Sequence, residues 1–157
     1  MHSTHNTDGL AAALLDLVGM LNSPRQDDVL LREAGVSIDR ALFPLLVRIG
    51  AAGSLSVAEL AERAGRDHST VSRQTARLAK LGLVTRRQAT RDQRVREAVI
   101  TADGRRFVRA ITIARRRLFG KLLAGWSAKD REGLARLNRK LADAMMNARA
   151  SWDRLHP

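Results

Sequence analysis

The stretch "RDHSTVSRQTARLAKLGLV", residues 66–84, decides the fold prediction. Asp67 can cap a helix over residues 68–81, and Gly82 can end it. On a helical wheel the apolar side chains share one side, and the opposite side carries hydroxyl and basic groups, at Ser69, Thr70, Arg73, Arg77 and Lys80. A DNA major groove accepts this arrangement, because short polar groups reach base edges and longer cations reach phosphates. An ordinary amphipathic helix with a solvated basic face is the alternative.

A second helix is predicted directly before this one. Ser56 and Glu59 form a capping-box pattern that opens a helix over residues 57–64, and Gly65 ends that helix. Two helices separated by three residues have the spacing of a helix-turn-helix. Helical hairpins of unrelated proteins share this spacing, so the interpretation depends on the sequence that follows.

A basic β-hairpin is predicted immediately after the two helices. The β-prone runs "LVTRRQ" and "RVREAVI" lie on either side of a turn near "ATRD". Residues 85–96 contain one acid, Asp92, and five arginines: Arg86, Arg87, Arg91, Arg94 and Arg96. These cations repel one another unless an anion lies nearby, and an arginine at the tip of a narrow ribbon can enter a DNA minor groove. The helices and the hairpin together favour contact with one duplex in two adjacent grooves.

The flanking sequence is predicted to be helical. A narrow apolar stripe indicates a helix from about Asp8 to Asn22, and a short helical turn is expected to end at Gly35. Pro44 predicts a kink or a late start in a helix over 38–49, and residues 50–54 are predicted to be a loop. Two long helices follow, one over 102 to about 124 and one that begins at residue 127. The expected fold class is mainly α with a small β-hairpin (α+β).

Composition narrows the function. The 157 residues include 28 Lys and Arg against 16 Asp and Glu, a formal net charge of +12, which favours a polyanionic partner. With no cysteine and four scattered histidines, neither a metal site nor another cofactor is expected. No paired carboxylates, nucleophile–base pair or glycine-rich phosphate loop indicates an enzyme. No membrane span or signal peptide is predicted, so a cytoplasmic location is expected.

Taken jointly, these motifs resemble the winged helix-turn-helix of the MarR (multiple antibiotic resistance regulator) family. The resemblance rests on "STVSR" at the start of the second helix, "LGLV" at its exit, and an Asp-x-Arg before the "T-x-x-G" of residues 101–104. It covers about residues 37–110. It implies a homodimeric regulator of transcription that binds a pseudo-palindromic double-stranded operator. Such proteins are usually repressors that a small aromatic or phenolic ligand releases.

The resemblance also implies roles for individual residues. The groove-facing part of the recognition helix would comprise Ser69, Thr70, Ser72, Arg73 and Gln74, with Arg77 near the DNA backbone. Arg94 corresponds to a wing-tip arginine that enters the minor groove, and the other wing arginines are further DNA contacts. Asp92 would orient the wing, although relief of repulsion between the arginines explains this acid equally well.

The same resemblance divides the chain into two regions. Residues 37–104 would form the DNA-binding domain, and residues 8–36 together with 105–157 would form a helical dimerisation region. A nonspecific or architectural DNA-binding protein is the main alternative function, and an enzyme that has kept the fold is a third. Trp126 and Trp152, which flank the last helix, are expected to pack in the dimer core.

Overall fold

The computed structural model describes residues 2–89 and 95–155, with side chains at 6–89, 95–148 and 151. Seven helices and three strands follow one another within these ranges: α1 (His2–Leu21), α2 (Pro24–Ala34), α3 (Phe43–Ala52), β1 (Ser54–Ser56), α4 (Val57–Ala64), α5 (His68–Lys80), β2 (Val84–Gln88), β3 (Arg96–Ile100), α6 (Ala102–Leu122) and α7 (Ala128–Leu155). The mainly helical prediction with a small β-hairpin is therefore confirmed.

The strands form one antiparallel sheet in the order β1-β3-β2. Val84 pairs with Ile100 at one end of the hairpin, and Gln88 pairs with Arg96 at the other. The predicted hairpin is thus present, and its tip, residues 90–94, lies outside the described residues. The buried side chains of the sheet join those of α3, α4 and α5 in one aliphatic core, which includes Leu45, Leu46, Ile49, Leu60, Val71 and Leu78.

Both helices of the helix-turn-helix begin as predicted, and α4 also ends as predicted, whereas α5 ends at Lys80, one residue before its predicted end. The Ser56 hydroxyl accepts a hydrogen bond from the Glu59 N–H at 3.2 Å, and the Glu59 carboxylate accepts one from the Ser56 N–H at 2.9 Å, which completes the capping box of α4. Gly65 then adopts a left-handed conformation with φ of 62° that ends this helix. The Asp67 carboxylate caps α5 by accepting from the Thr70 N–H at 2.8 Å.

The helix predicted over residues 38–49 starts late, at Phe43, which is one of the two outcomes that Pro44 predicts, because proline fits the first turn of a helix but not its interior. It ends at Ala52 rather than at residue 49. The prediction of a loop over residues 50–54 was wrong, because this segment contains the end of α3 and the first residue of the short strand β1, which pairs with β3. Three residues are too few to show a strand periodicity, so only the pairing partner reveals this strand.

The first two helices are longer than predicted. Helix α1 begins at His2 rather than near Asp8, because the apolar stripe marks only where apolar residues start and no proline interrupts the polar residues before it. Helix α2 runs over eleven residues rather than one turn, with Pro24 in its first turn. Both long C-terminal helices match their predicted starts: the Thr101 hydroxyl accepts from the Gly104 N–H at 3.0 Å, and the Ser127 hydroxyl accepts from the Asp130 N–H at 3.1 Å.

The start of α6 is joined closely to the hairpin. The Thr101 N–H donates to the carbonyl oxygen of Leu83 at 3.1 Å, and the Thr101 hydroxyl donates to the carbonyl oxygen of Gly82 at 2.7 Å. Gly104 is buried, and a Cβ atom at this position would collide with the Leu83 carbonyl oxygen and the Ile100 side chain. The glycine of "T-x-x-G" therefore allows the close approach of α6 to the base of the hairpin.

The chain divides into two compact units, residues 1–116 and 117–157. The first unit contains the sheet and the helix-turn-helix, and its helix α1 leaves several apolar side chains exposed, at Leu10, Leu15, Leu17, Val18 and Leu21. The second unit exposes Leu122, Trp126, Leu137, Met145 and Met146. Among residues 2–89 and 95–155, no helix is both long and apolar enough to cross a membrane.

Candidate nucleic-acid interface

Helix α5 is anchored by one face and exposed on the other. Val71, Thr75 and Leu78 are completely buried, and the Thr75 hydroxyl satisfies its hydrogen bond by donating to the Val71 carbonyl oxygen at 2.7 Å. Ser69, Arg73 and Lys80 are exposed on the opposite face, as the helical wheel predicts. The buried face therefore fixes the rotation of α5 and directs these polar groups to solvent.

The N-terminal turn of α5 holds its polar side chains in a local network. The Asp67 carboxylate accepts hydrogen bonds from the Ser69 hydroxyl at 2.6 Å and from the Thr70 N–H at 2.8 Å. The hydrogen bonds from Ser69 and Thr70 hold the pKa of the Asp67 carboxyl well below its usual range. Arg73 Nη2 donates to the Thr70 hydroxyl at 3.2 Å, so its guanidinium lies beside the start of the helix. These contacts bring hydrogen-bond donors and acceptors together on one turn of α5, and such side-chain groups can hydrogen bond to base edges in a major groove.

Two predicted contact residues are engaged by parts of the protein outside α5. Gln74 is partly buried, and its Oε1 accepts a hydrogen bond from Arg66 Nη1 at 3.0 Å. Arg77 Nη2 forms an ion pair with Asp39 Oδ2 at 2.9 Å. Ser72 is also partly buried. Of the six predicted recognition-helix residues, Ser69, Arg73 and Arg77 are thus the most exposed.

Sequence reasoning missed Asp39 and Arg66. Both lie outside the two helices that carry the motif, and Asp39 is 38 residues from the arginine that it contacts. A helix over residues 38–49 would also have placed Asp39 in a different local conformation. Locally, the position of this acid is fixed by an Asx-type turn, in which the Asp39 carboxylate accepts a hydrogen bond from the Ala41 N–H at 2.8 Å.

The hairpin contributes a second group of cations. Arg86, Arg87 and Arg96 lie on the two strands and are exposed, and Glu97 accepts from Arg87 at 3.4 Å. Among the described residues, no acid pairs with Arg86 or Arg96. The predicted contacts at Arg91, Asp92 and Arg94 lie outside the described residues. The two strands therefore carry at least two positive charges, at Arg86 and Arg96, that no described acid neutralises.

Positive charge also surrounds the turn between α4 and α5. Arg66 Nη1 donates to the Ala41 carbonyl oxygen at 2.8 Å. Arg48 donates to the Pro44 and Arg63 carbonyl oxygens at 3.1 and 3.3 Å, so this guanidinium joins α3 to the end of α4. Burial, and then the nearby charge of Arg66, lower the pKa of Arg48. Carbonyl oxygens fix these two cations without neutralising them, so the region keeps its positive charge.

The described residues contain no group of three His, Asp or Glu side chains that could hold a metal ion. His68 is exposed at the start of α5, and Trp126 is exposed rather than packed in a core of this chain. The side chain of Trp152 lies outside the described side chains.

Comparisons with known proteins agree with this geometry. Residues 38–95, from the turn before α3 to the hairpin, match the model of the MarR family. The chain is also 30% identical over 111 residues to YxaD of Bacillus subtilis (strain 168), an HTH-type transcriptional regulator, and the match spans 71% of this chain and 78% of YxaD. The chain belongs to the MarR family. MarR family transcriptional regulators bind DNA and are not enzymes, so this chain is a DNA-binding regulator of transcription.

Solved structures support the fold over most of the chain. A MarR family protein from Bacillus stearothermophilus has a TM-score of 0.74 at 24% identity, covering 91% of this chain and 98% of that one. MarR itself has a TM-score of 0.73 at 23% identity, covering 88% and 95%. The regulator BldR from Sulfolobus solfataricus has a TM-score of 0.65 at 20% identity, covering 89% and 98%. At these identities the likeness is one of fold, and it confirms the winged helix-turn-helix.

Proposed function

We propose that this MarR family protein is a homodimeric repressor that binds a pseudo-palindromic operator and releases it when a small ligand binds. The exposed face of α5 is the observation that supports sequence-specific binding to the operator. Ser69, Arg73 and Arg77 project from a helix whose rotation is fixed by a buried face, and the basic hairpin follows within the same compact unit. Such a protein acts on chromosomal DNA, so the proposed location is the cytoplasm.

The proposed reading unit is residues 37–104. In it, α5 enters the major groove, where Ser69, Thr70, Ser72, Arg73 and Gln74 face base edges and Arg77 lies near the backbone. The wing residues Arg86, Arg87, Arg91 and Arg96 contact phosphates, Arg94 enters the minor groove, and Asp92 orients the wing. Short polar groups and arginine forks are the side chains that discriminate base pairs in the major groove.

Binding measurements test this reading unit. Arg73→Ala and Arg94→Ala should each weaken binding to an operator duplex by about 1–3 kcal/mol. Arg136→Ala, on α7 and outside the reading unit, is the matched control and should bind as the wild type does. The log–log dependence of affinity on salt should have a slope of about −0.9 for each phosphate contact. Wild-type affinity in both arginine variants would exclude this recognition mode.

A nonspecific or architectural role is the second candidate function, and the net charge of +12 favours it independently of α5. Specific regulators bind their sites about 10³–10⁷ times more tightly than random DNA. Competition of a labelled operator with unlabelled random duplex distinguishes the two functions. If random duplex competes as well as operator does, the repressor proposal fails and the architectural function stands.

The exposed apolar side chains of the helical regions 8–36 and 105–157 support the homodimer. Leu17 and Leu21 on α1 are 50% and 63% exposed, and α7 exposes Leu137 and Met145. Apolar faces of this kind are typical of interfaces between subunits. Leu17→Glu with Leu21→Glu should give monomers in sedimentation experiments, whereas Leu81→Glu, at the exposed end of α5, should leave the dimer intact. A wild-type chain that sediments as a monomer would contradict this part of the proposal.

An open cleft beside α6 supports the ligand-responsive part of the proposal. The cleft has a volume of about 500 Å³ and combines apolar side chains, Val108 and Ile113, with the cations Arg109 and Arg116. This size and this chemistry suit a small aromatic or phenolic anion.

The binding of two such anions tests this part of the proposal. Benzoate and salicylate should raise the melting temperature of the protein and weaken its binding to the operator. Arg109→Ala with Arg116→Ala should abolish both effects, and Arg25→Ala on α2 should not. If neither anion changes wild-type operator binding, this part of the proposal fails.

A further inference from the structure

An ion pair joins the recognition helix to the segment that precedes α3. Arg77 Nη2 on α5 lies 2.9 Å from Asp39 Oδ2, and both residues are exposed. Asp39 is itself held in place, because its Oδ1 accepts a hydrogen bond from the Ala41 N–H at 2.8 Å. The hydrogen bond from Ala41, followed by the one from Arg77, lowers the pKa of the Asp39 carboxyl. Asp39 is therefore a fixed negative charge beside α5.

The pair leaves most of the Arg77 fork available. Arg77 follows Arg73 by one helical turn on the exposed side of α5. Only Nη2 makes a hydrogen bond within the described part of the protein, so Nε and Nη1 can donate to a further acceptor. A guanidinium that a carboxylate holds by one edge loses less conformational entropy when its other edge binds a base or a phosphate.

The carboxylate of Asp39 also acts directly on a bound polyanion. A negative charge next to the helix that contacts DNA repels phosphates and weakens binding to every duplex, whatever its sequence. An Arg77 fork fixed by that same charge strengthens binding only where a base or phosphate lies in the matching position. Asp39 thus lowers nonspecific affinity and raises the penalty for a mismatched site, and both effects increase discrimination.

We propose that Asp39 is a specificity-determining positioning residue, which holds Arg77 in one orientation toward DNA and disfavours sequences that do not match it. This inference rests on the proposed function, in which α5 lies in the major groove. It concerns a residue outside the helix-turn-helix and the wing, and it gives Arg77 a part in sequence discrimination rather than in backbone contact alone.

The test compares the DNA sequences that matched variants select from a random duplex pool. Asp39→Asn removes the charge but keeps an oxygen that accepts from Ala41, so the local turn is retained. Asp39→Ser, whose hydroxyl can also accept this hydrogen bond, serves if the asparagine variant does not fold. Asp28→Asn is the control for the loss of one negative charge, because Asp28 pairs with Arg40 rather than with α5. Arg77→Ala and the Asp39→Asn/Arg77→Ala double variant complete the set, with folding checked by thermal unfolding.

The expected result has three parts. Asp39→Asn should bind scrambled duplex more tightly than the wild type does, and its ratio of selected to scrambled affinity should fall about tenfold. The base positions at which it loses preference should be those at which Arg77→Ala loses preference. In the Arg77→Ala background, Asp39→Asn should change no base preference, and Asp28→Asn should behave as the wild type does.

Two outcomes would overturn the inference while leaving the proposed function intact. One is an Asp39→Asn variant that selects the same sequences with the same preference as the wild type. The other is an altered base preference that persists without Arg77, which would mean that Asp39 acts on DNA by itself. If the wild-type protein selects no sequence at all, the proposed function fails, and this inference fails with it.

Discussion

Arg66 Nη1 donates to the Oε1 atom of Gln74 at 3.0 Å and also to the Ala41 carbonyl oxygen at 2.8 Å, so one guanidinium joins the recognition helix to the segment before α3. The arginine lies in the turn between the two helices of the motif. This contact occupies the carbonyl end of the Gln74 amide, which reduces what that side chain can offer to a base pair.

The contact predicts unequal roles for Gln74 and Arg73 in DNA binding. Gln74→Ala should weaken operator binding by less than about threefold, because the residue is partly buried and already hydrogen bonded. Arg73→Ala should weaken it by about tenfold or more, since its guanidinium is exposed on the side of α5 that we propose faces the groove. Titration of each variant with the same labelled duplex measures both effects. A larger loss for Gln74→Ala than for Arg73→Ala would refute this order.

Arg66 itself should stabilise the winged unit. Arg66→Ala removes two hydrogen bonds from a charged donor, and we expect the free energy of unfolding to fall by about 1–3 kcal/mol. Urea unfolding followed by circular dichroism measures the change. Arg63→Ala is the control, because the exposed side chain of Arg63 makes no hydrogen bond or ion pair among the described residues. Equal stabilities of the two variants would count against a structural role for Arg66.

Gly104 lies so close to the hairpin that adding a single methyl group at this position should destabilise the fold. Gly104→Ala would place a Cβ atom against the Leu83 carbonyl oxygen and the Ile100 side chain, so α6 or the hairpin must move. We expect a loss of about 3 kcal/mol in unfolding free energy. Gly120→Ala on the same helix is the control, since a Cβ atom there meets nothing within 4 Å. That variant should be more stable by about 0.5–1 kcal/mol. A neutral Gly104→Ala would show that the packing of α6 on the hairpin adjusts freely.

The cap of α5 predicts a dependence of stability on acid pH. The hydrogen bonds from Ser69 and Thr70 lower the pKa of Asp67 below its ordinary value of 3.8, so folding favours the ionised carboxylate. The resulting stabilisation is complete above about pH 4 to 5 and is lost as the pH falls through the lowered pKa. Asp67→Asn keeps a capping oxygen that does not titrate, and its melting temperature should fall less between pH 5 and pH 2 than that of the wild type. Equal acid dependence of the Asp67→Asn variant and the wild type would rule out this contribution.

The two neighbouring arginines of β2 are predicted to differ in their electrostatic effect. Arg87 already contacts the Glu97 carboxylate at 3.4 Å, whereas no described acid pairs with Arg86. Arg86→Ala should therefore reduce the salt slope of DNA binding by about one unit, and Arg87→Ala should reduce it by less. Affinities measured over a series of salt concentrations give the slopes. If the two slopes change equally, the ion pair with Glu97 does not survive in the complex.

The site could be predicted where its residues lie close in sequence. The faces of α5 follow from its 3.6-residue period, and Val71, Thr75 and Leu78 are buried on the side opposite the predicted polar one. The caps at Ser56, Asp67, Thr101 and Ser127 follow from hydrogen bonds that span only three residues. The wing strands followed from β-prone runs on either side of a turn, and their pairing confirmed them.

The helix-turn-helix, the hairpin, the resemblance to the MarR family and the basic character of the exposed face of α5 could all be inferred before the structure was known. These features depend on residues that lie close together in the chain, such as helix caps that span three residues and periodic apolar patterns. Such spacings can be read directly from the sequence. Which polar groups on that face already form hydrogen bonds within the protein became clear only from the folded arrangement of the chain. The contacts Asp39–Arg77 and Arg66–Gln74, like the pairing of β1 with β3, depend on how distant segments pack, and no local pattern specifies that packing.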